Sequence, residues 1–327
     1  MNTWGEKLRL SIFGESHGGG IGIVMDGLPP GFAPDMEEVA AEMARRAPGQ
    51  SALTTARRES DTPEILSGLF NGTTTGAPLA VIIRNTDTRS RDYTPELPRP
   101  GHADWPAQVK FEGYQDYRGG GHFSGRLTAP LVFAGAIAKQ ILREQYRVSI
   151  GSKILRMAGE TGQAAMEQAV LAAKADGDSV GGVIEAWAEG LPVGRGNPFF
   201  GGVESRAASL LFSIPAVKGV EFGDGFALAG MRGSAANDPM RVENGVVTLD
   251  SNHNGGALGG LTNGQPLVVR VAIKPTPSVS KPQQMVNLTT METVQHSTLG
   301  RHDPCIVPRA LPVVEAALAL CITDLML

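Results

Sequence analysis

The sequence predicts a mixed α+β fold, because short apolar runs typical of strands are interspersed with stretches of helical periodicity. Strands and helices do not alternate strictly along the 327 residues, so packed α+β layers are favoured over a doubly wound parallel sheet. Glycine (42 residues) and proline (22 residues) are frequent, which predicts many shaped loops. No proline- or serine-rich linker divides the chain, and we expect residues 1–327 to form one large domain.

Five apolar runs have the length and composition of strands. Each is rich in Val, Ile, Leu or Phe, and turn-forming residues lie close to its ends. The predicted strands cover residues 8–13, 20–25, 79–84, 180–188 and 267–274.

Five other stretches have helical periodicity. The first begins with acidic residues and ends at Pro48 and Gly49, two residues that stop helices. Its apolar face consists of Met36, Val39, Ala40 and Met43. The helices predicted after it cover residues 130–145, 163–174, 203–212 and 310–325. The last one is interrupted by Pro312, Glu315 and Asp324, so we expect a core helix rather than a membrane span.

The charge composition indicates a small anionic ligand. The net charge is −4 and the isoelectric point about 5.9, which argues against general nucleic-acid binding. Of the 29 basic residues 21 are Arg, and ten of these but only one Lys lie between residues 45 and 126. Arginine binds carboxylate and phosphate through two hydrogen bonds at once. The alternative is that Arg replaces Lys on a solvated face, and composition leaves both open.

Cysteine usage and the first residues indicate a cytoplasmic protein. The two cysteines, Cys305 and Cys321, form neither a disulfide framework nor a zinc pattern. The first twenty residues lack a basic segment followed by a long apolar core, so we expect no signal peptide. No spacing typical of metal ligands occurs, and we expect no metal and no membrane partner.

All six histidines lie in polar or glycine-flanked segments. Histidine can give and take a proton near neutral pH, as a catalytic group in a loop must do. For any single one, a surface role or a hydrogen-bonded core role is the alternative. The six are His17, His102, His122, His253, His296 and His302.

The segment from Gly14 to Gly18 satisfies G-x-S-x-G, the nucleophile elbow of α/β-hydrolases, with Ser16 as the nucleophile. Its context argues against that hypothesis, because only thirteen residues precede Gly14 and a strand rather than a helix is predicted to follow. Neither a phosphate loop nor a dinucleotide fingerprint is present.

Four clusters could hold an anion. Ser124 and Arg126 precede a predicted helix, whose free N–H groups and dipole favour phosphate. Each cluster could equally be a capped turn with an ordinary ion pair. The other three clusters are Arg45 with Arg46, Arg57 with Arg58, and Arg301 with His302 and Asp303.

Several long segments, in this order, resemble the chorismate synthase family over almost the whole chain. They are GESHGGGIGIVMDGLPPG, RRAPGQS, TTARRESD, ILSGLFNGTTTGAPLAVIIRNTD, RPGHAD, DYRGGGHFSGRLTA, IPAVKGVEFGDGF, SNHNGGALGGLTNGQP, KPTPSVSKP and GRHDPC.

The resemblance implies a lyase that converts 5-enolpyruvylshikimate 3-phosphate to chorismate by 1,4-anti elimination of phosphate, the last step of the shikimate pathway toward the aromatic amino acids. It implies reduced FMN (FMNH2) as cofactor, a β-α-β sandwich and a homotetramer. Since the chain lacks a dinucleotide fingerprint, we expect a separate flavin reductase.

The resemblance also assigns residues to roles. His17 would protonate the departing phosphate, His102 would set the protonation of the flavin, and Asp303 would work with flavin N5 in removing the C6 proton. The substrate-binding residues it implies are Ser16, Arg46, Arg57, Arg126 and Arg301. The flavin-binding residues it implies are His122, Phe123, Ser124, Pro215, Ala216, Gly259, Lys274, Pro275, Thr276, Pro277, Ser278 and Arg301.

Two further features leave alternatives open. Many family members read R-S-S-A-R-E-T where this chain has residues 122–128, so His122 and Leu127 replace an Arg and a Glu. A flavin-binding homologue that has lost catalysis is therefore the second hypothesis. The loose likeness of the glycine-rich segments 17–22 and 253–260 would fit an internal duplication.

Overall fold

The computed structural model describes residues 2–49, 61–86, 93–298, 300 and 303–327. The helices in this part of the chain are α1 (Met36–Arg46), α2 (Asp104–Lys110), α3 (Thr128–Ile141), α4 (Gln163–Ala175), α5 (Val203–Ser213), α6 (Gly233–Ala236) and α7 (Val307–Met326). The strands are β1 (Thr3–Trp4), β2 (Arg9–Gly14), β3 (Gly20–Asp26), β4 (Pro63–Ser67), β5 (Leu69–Phe70), β6 (Thr73–Thr74), β7 (Leu79–Arg84), β8 (Ser149–Met157), β9 (Gly182–Glu189), β10 (Val217–Phe222), β11 (Met240–Glu243), β12 (Val246–Leu249), β13 (Ala257–Leu258), β14 (Leu261–Thr262), β15 (Leu267–Ile273), β16 (Gln283–Asn287) and β17 (Glu292–His296).

Two antiparallel sheets carry most of the strand structure. The first has the strand order β1-β2-β3-β7-β4, and the second has the order β10-β15-β9-β8. Four separate two-stranded ribbons pair β5 with β6, β11 with β12, β13 with β14, and β16 with β17. Because every pairing among the described strands is antiparallel, neighbouring strands there do not need a crossover helix between them.

The helices α3 and α7 contact each other and lie against different sheets. Helix α3 contacts β3 and β7, while α7 contacts β8 and β9. Their backbones approach closely at Gly135, where a Cβ atom would lie 2.2 Å from the Cβ of Ala316. Apolar residues alternate along the strands that face the helices, with Ile21, Ile23 and Met25 of β3 fully buried.

The mixed helix and strand class predicted from sequence is confirmed, and so are the five predicted strands and five predicted helices to within a few residues at their ends. Helix α7 begins three residues earlier than predicted, because Pro308 fits its first turn. The strands that the sequence prediction missed include β4, β8, β10 and the ribbons β11–β12 and β16–β17. Polar residues interrupt the apolar pattern in these strands, as Ser152 and Lys153 do in β8.

The charged residues of α7 have partners inside the fold. Asp324 accepts hydrogen bonds from the backbone N–H groups of Lys7 and Leu8, each at 2.7 Å, and it pairs with Arg206.

Both cysteines are buried. Burial raises the pKa of the Cys321 thiol to about 12 and that of Cys305 to about 11. Among the described helices none is both long and apolar enough to cross a membrane.

Glu315 is the centre of a buried ion cluster that joins α1, α3, α7 and β8. Its carboxylate accepts two hydrogen bonds of 2.8 Å and 2.8 Å from Arg45, and it also accepts from Lys139 and Ser152. Burial raises the pKa of Glu315, but the hydrogen bonds and charges of Arg45 and Lys139 outweigh burial and bring it down to about 2. Glu42 of α1 completes the cluster with its own bond to Lys139 at 2.8 Å.

We expect Glu315→Gln to lower the free energy of unfolding by about 3 kcal/mol at pH 7, because two cations lose their buried counter-ion. The folded pKa of about 2 lies below the ordinary 4.5, so the stabilisation is complete above pH 4.5 and is lost as the pH falls toward 2. Denaturant titrations between pH 7 and pH 3 measure both effects. The matched control is Glu38→Gln, which removes an exposed pair with Arg143 and should cost about 0.5 kcal/mol. Equal acid dependence in the wild type and Glu315→Gln would contradict the assignment.

Candidate active site

Ser16 and His17 lie in the turn that joins β2 to β3. Both are buried, with Ser16 at 1% and His17 at 8% exposure. The backbone N–H of Ser16 donates to the carbonyl of Gly121 at 3.1 Å, and the ring of His17 packs edge-on against Tyr93 at 5.4 Å between centroids. The turn therefore holds the imidazole in a defined position without a helix.

The same turn excludes the geometry of a nucleophile elbow. Gly14 ends β2, and the chain enters β3 at Gly20 and runs antiparallel to β2. An elbow requires a helix directly after the serine, and a strand stands there instead. The arrangement around Ser16 thus gives no support to a hydrolase.

Three consecutive glycines, Gly119 to Gly121, allow the chain to approach His17. All three have positive φ angles, of 63°, 82° and 52°, a region that residues with a Cβ rarely adopt. A Cβ atom on Gly119 would lie 2.5 Å from Cδ2 and 2.6 Å from Nε2 of the His17 ring. A side chain at this position would therefore displace the imidazole.

The next glycine of the run faces the second candidate histidine. A Cβ atom on Gly120 would lie 3.0 Å from Cε1 and 3.2 Å from Nε2 of His102. The carboxylate of Asp104 contacts Nδ1 of the same ring at 2.6 Å. His17 and His102, which are 85 residues apart in sequence, thus lie against adjacent glycines of one turn.

Arg99 links this histidine to the segment after β15. It donates to Asp104 through Nε at 2.7 Å and through Nη2 at 2.9 Å, and its Nη1 donates to the hydroxyl of Ser278 at 3.0 Å. Lys274 donates from Nζ to the carbonyl of Gly101. The predicted flavin-binding residues 274–278 therefore lie beside the loop that carries His102.

Residues 274–278 offer groups that suit a phosphate-bearing ligand. They combine the Lys274 ammonium with two hydroxyl groups, and the buried Oγ1 of Thr276 has no hydrogen-bond partner within the described residues. The backbone N–H of Lys274 donates to the carbonyl of Ala216 at 3.0 Å, which brings Pro215 and Ala216 next to the same segment.

Arg46 and Arg126 share one buried carboxylate. Asp61 accepts a hydrogen bond from Nη1 of Arg46 at 2.8 Å, and its other oxygen accepts from Nη1 of Arg126. Burial raises the pKa of Asp61, but the two neighbouring guanidinium groups outweigh burial and lower it. Burial and the charges of Arg309 and Arg126 lower the pKa of Arg46 to about 10, so it remains charged at neutral pH. The pair keeps an excess positive charge that favours an anion.

Asn85 connects this arginine pair to the turn that carries His17, and Arg309 connects it to Asp303. Asn85 accepts from Nε of Arg126 at 2.7 Å and donates to the carbonyls of Glu15 and Gly18, each at 2.9 Å, in the turn that carries His17. Arg309 donates to the carbonyl of Arg46 at 3.1 Å and also to the carboxylate of Asp303. Asp303 and His17 are thus tied to the same arginine cluster.

Some of the remaining predicted site residues lie near the His17 turn, and others lie outside the described residues. His122 lies beside the His17 turn, where its Nδ1 contacts the carbonyl of Gly14 at 2.8 Å. Phe123 packs near Phe111, and the hydroxyl of Ser124 accepts from the backbone N–H of Arg126 at 3.3 Å. Four residues of the predicted site region lie outside the described residues, namely Arg57, Arg58, Arg301 and His302.

Gly259 is not joined to these clusters by a hydrogen bond within the described residues. It lies in the turn between β13 and β14, and the next residue, Gly260, accepts a hydrogen bond from the backbone of Val203 at the start of α5. Apart from Gly259, the described site residues are linked by the contacts given above or are chain neighbours of residues that are.

A cavity of about 50 Å³ lies beside the glycine run. Buried oxygens of Gln115 and Thr298 in its wall have no hydrogen-bond partner within the described residues. Other lining residues include Tyr93, Arg99, Asp104, Gly120 and Phe123. The described side chains contain no cluster of three His, Cys, Asp or Glu that could hold a metal ion.

Five residues of this network were missed from sequence. Arg99 and Asp104 lie inside the RPGHAD motif and Asp61 ends TTARRESD, so a search for carboxylates beside Arg or His would have found them. Asn85 and Arg309 act through contacts with residues far away in the chain, and no local pattern marks them.

Comparison with known proteins gives one consistent result. Residues 8–327 match the family model described as chorismate synthase. A chorismate synthase of Thermococcus gammatolerans is 48% identical, with 98% of this chain and 96% of the relative covered. A chorismate synthase of Chitinophaga pinensis is also 48% identical, with 100% of this chain and 97% of the relative covered. A crystal structure of chorismate synthase superposes with a TM-score of 0.78 at 29% identity, covering 99% of this chain and 92% of the other.

We expect Gly119→Ala to lower the free energy of unfolding by about 2 kcal/mol, since the new methyl group adds left-handed strain and meets the His17 ring. Denaturant titration measures the loss. Gly233→Ala is the matched control, because a Cβ there meets nothing within 4 Å and the backbone is helical. A Gly119→Ala protein as stable as the control would contradict the packing described here.

Proposed function

Because the chain belongs to the chorismate synthase family, we propose that it catalyses the 1,4-anti elimination of phosphate from 5-enolpyruvylshikimate 3-phosphate to give chorismate. The bond between ring carbon C3 and the phosphate oxygen breaks, a proton leaves C6, and the electron pair of the C–H bond completes the diene. Substrate and products therefore balance without net oxidation or reduction. The observation that carries the assignment of residues is the approach of His17 and His102 to adjacent glycines.

His17 is the proposed acid for the departing phosphate. Phosphate leaves more readily when a proton neutralises the developing charge, and a positioned histidine supplies such a proton near neutral pH. Its burial and its position in a turn braced by Asn85 support this role. Ser16 beside it is the proposed hydroxyl contact to the substrate.

The arginines are the proposed holders of the substrate anions. The substrate carries a phosphate and two carboxylates, and fixed guanidinium groups lower the barrier where negative charge develops. Arg46 and Arg126 are held at fixed positions by Asp61, which supports a preorganised site. The same role is proposed for Arg57 and Arg301.

Reduced FMN is the proposed cofactor, and when bound it supplies electron density to the reacting substrate. Lys274 offers an ammonium group, and Ser278 and Thr276 offer hydroxyl groups, as a flavin phosphate requires; the Thr276 hydroxyl has no partner among the residues that the structure describes. The other proposed contacts are His122, Phe123, Ser124, Pro215, Ala216, Gly259, Pro275, Pro277 and Arg301.

Two further groups handle protons in this proposal. His102 sets the protonation of the cofactor beside residues 274–278, and its proximity to that segment supports the role. Asp303 takes part in removing the C6 proton. Its bond to Arg309, which also contacts Arg46, keeps the carboxylate near the arginine cluster.

The proposed setting of the enzyme follows the same family. We infer that residues 1–327 form a single domain with β-α-β sandwich layers, that internal duplication relates segments 17–22 and 253–260, and that four copies assemble in the cytoplasm with flavin reduced by a separate enzyme. Exposed apolar side chains such as Phe199 (91%), Phe200 (96%) and Phe226 (86%) support self-association.

We expect the full-length protein to release phosphate and chorismate when 5-enolpyruvylshikimate 3-phosphate and reduced FMN are supplied without oxygen. We expect His17→Ala to lower kcat about 100- to 1000-fold, because the leaving phosphate loses its proton donor. Anaerobic stopped-flow absorbance of chorismate measures both results. His253→Ala is the control, since its ring pairs with Asp224 on another loop, and it should retain activity.

Two results would count against this proposal. Full activity of His17→Ala would exclude that residue as the acid. Tight FMN binding that substrate does not alter, with no turnover, would favour a homologue that has lost catalysis. That second candidate is supported by His122 and Leu127, which replace the Arg and Glu of many relatives, and by the engagement of His122 with the Gly14 carbonyl.

A further inference from the structure

Asp104 bonds His102 and Arg99 at the same time. Its Oδ1 contacts Nδ1 of His102 at 2.6 Å and accepts from Nη2 of Arg99 at 2.9 Å. Its Oδ2 accepts from the backbone N–H of Arg99 at 3.1 Å and from Nε at 2.7 Å. The carboxylate is thus fixed by three donors of Arg99 and presents one oxygen to the imidazole.

The short contact locates a proton on Nδ1 of His102. Burial raises the pKa of Asp104, but the hydrogen bonds from His102 and Arg99 outweigh burial and hold it well below its usual range, so the carboxylate is ionised. An ionised carboxylate only accepts, and Arg99 only donates. The proton between Oδ1 and the ring must therefore belong to Nδ1. Nη2 of Arg99, which lies 3.1 Å from Nδ1 and 3.4 Å from Nε2, donates one of its two hydrogens to Oδ1.

We propose that Asp104 is a positioning residue that fixes His102 with its proton on Nδ1, so that Nε2 is the ring nitrogen that exchanges protons in the reaction. The Cε1 and Nε2 atoms of the ring face Gly120, which has no side chain, and Nη2 of Arg99 lies 3.4 Å from Nε2. This inference rests on the proposed function, because it assigns a working atom to a histidine of that mechanism. A carboxylate that holds an imidazole in one tautomer acts through the histidine rather than on the substrate.

The hydrogen bonds from Arg99 predict how the side-chain amide would be oriented in Asp104→Asn. If the amide nitrogen took the place of Oδ2, two hydrogen bonds from Arg99 would be lost. If it took the place of Oδ1, only one would be lost. The second orientation is favoured, and it turns an N–H group toward Nδ1 of His102. Nδ1 then has to accept this hydrogen bond, so the ring proton moves to Nε2.

The test compares Asp104→Asn with the wild-type full-length chain. Nitrogen-15 spectra of histidine-labelled protein, with the His102 signals identified from His102→Gln, report which ring nitrogen carries the proton. We expect the proton on Nδ1 in the wild type and on Nε2 in the variant. In anaerobic assays we expect kcat to fall about 100-fold with little change in KM, since a mispositioned proton impairs transfer rather than binding.

Two further variants make the result specific. Asp104→Glu keeps a carboxylate and should restore the Nδ1–H form and part of kcat. Asp224→Asn is the matched control, because Asp224 contacts Nδ1 of His253 at 2.6 Å in the same chemical arrangement. It should alter only the His253 signals and leave turnover unchanged.

The proposal is overturned if His102 keeps its Nδ1 proton in Asp104→Asn, or if kcat stays at the wild-type value despite the tautomer change. A wild-type protein without any turnover would instead refute the proposed function. The ring spectra would then still decide whether Asp104 sets the tautomer.

Discussion

The candidate site depends on a steric constraint, the absence of side chains at Gly119 and Gly120. A Cβ on the first glycine would overlap the His17 ring, and a Cβ on the second would crowd His102. Their left-handed backbone is strained for other residues, so glycine meets both requirements at once. The loop that carries His17 and the loop that carries His102 therefore both place their imidazole rings against this glycine turn.

Around this turn, buried positive charge is stabilised by carboxylates that lie in defined places. Asp61 pairs with Arg46 and Arg126, and Asp303 pairs with Arg309. An unpaired buried guanidinium would be costly, whereas two arginines on one carboxylate keep a net charge for a ligand. Arg309 belongs to α7, the helix whose Glu315 pairs with Arg45 of α1 and Lys139 of α3, so the candidate anion site is anchored to the core.

The pattern of apolar residues was sufficient to predict the α+β class. It was also sufficient to predict strands and helices with regular apolar spacing, such as β7 and α1. It did not suffice for β8, where polar residues break the pattern. The motifs also identified His17, His102 and Arg126 as candidates. Asn85 escaped, because its role consists of contacts to Glu15, Gly18 and Arg126 that only the folded chain creates.

In the proposed mechanism, one glycine turn separates His17, the proposed acid for the phosphate, from His102, the histidine proposed to serve the flavin. A crystal structure of the full chain with oxidised FMN and 5-enolpyruvylshikimate 3-phosphate tests it directly. We expect the substrate phosphate within hydrogen-bond distance of His17 and the flavin ring beside His102, with Gly119 and Gly120 between the two imidazoles. A flavin bound away from His102, or a phosphate remote from His17, would contradict the account.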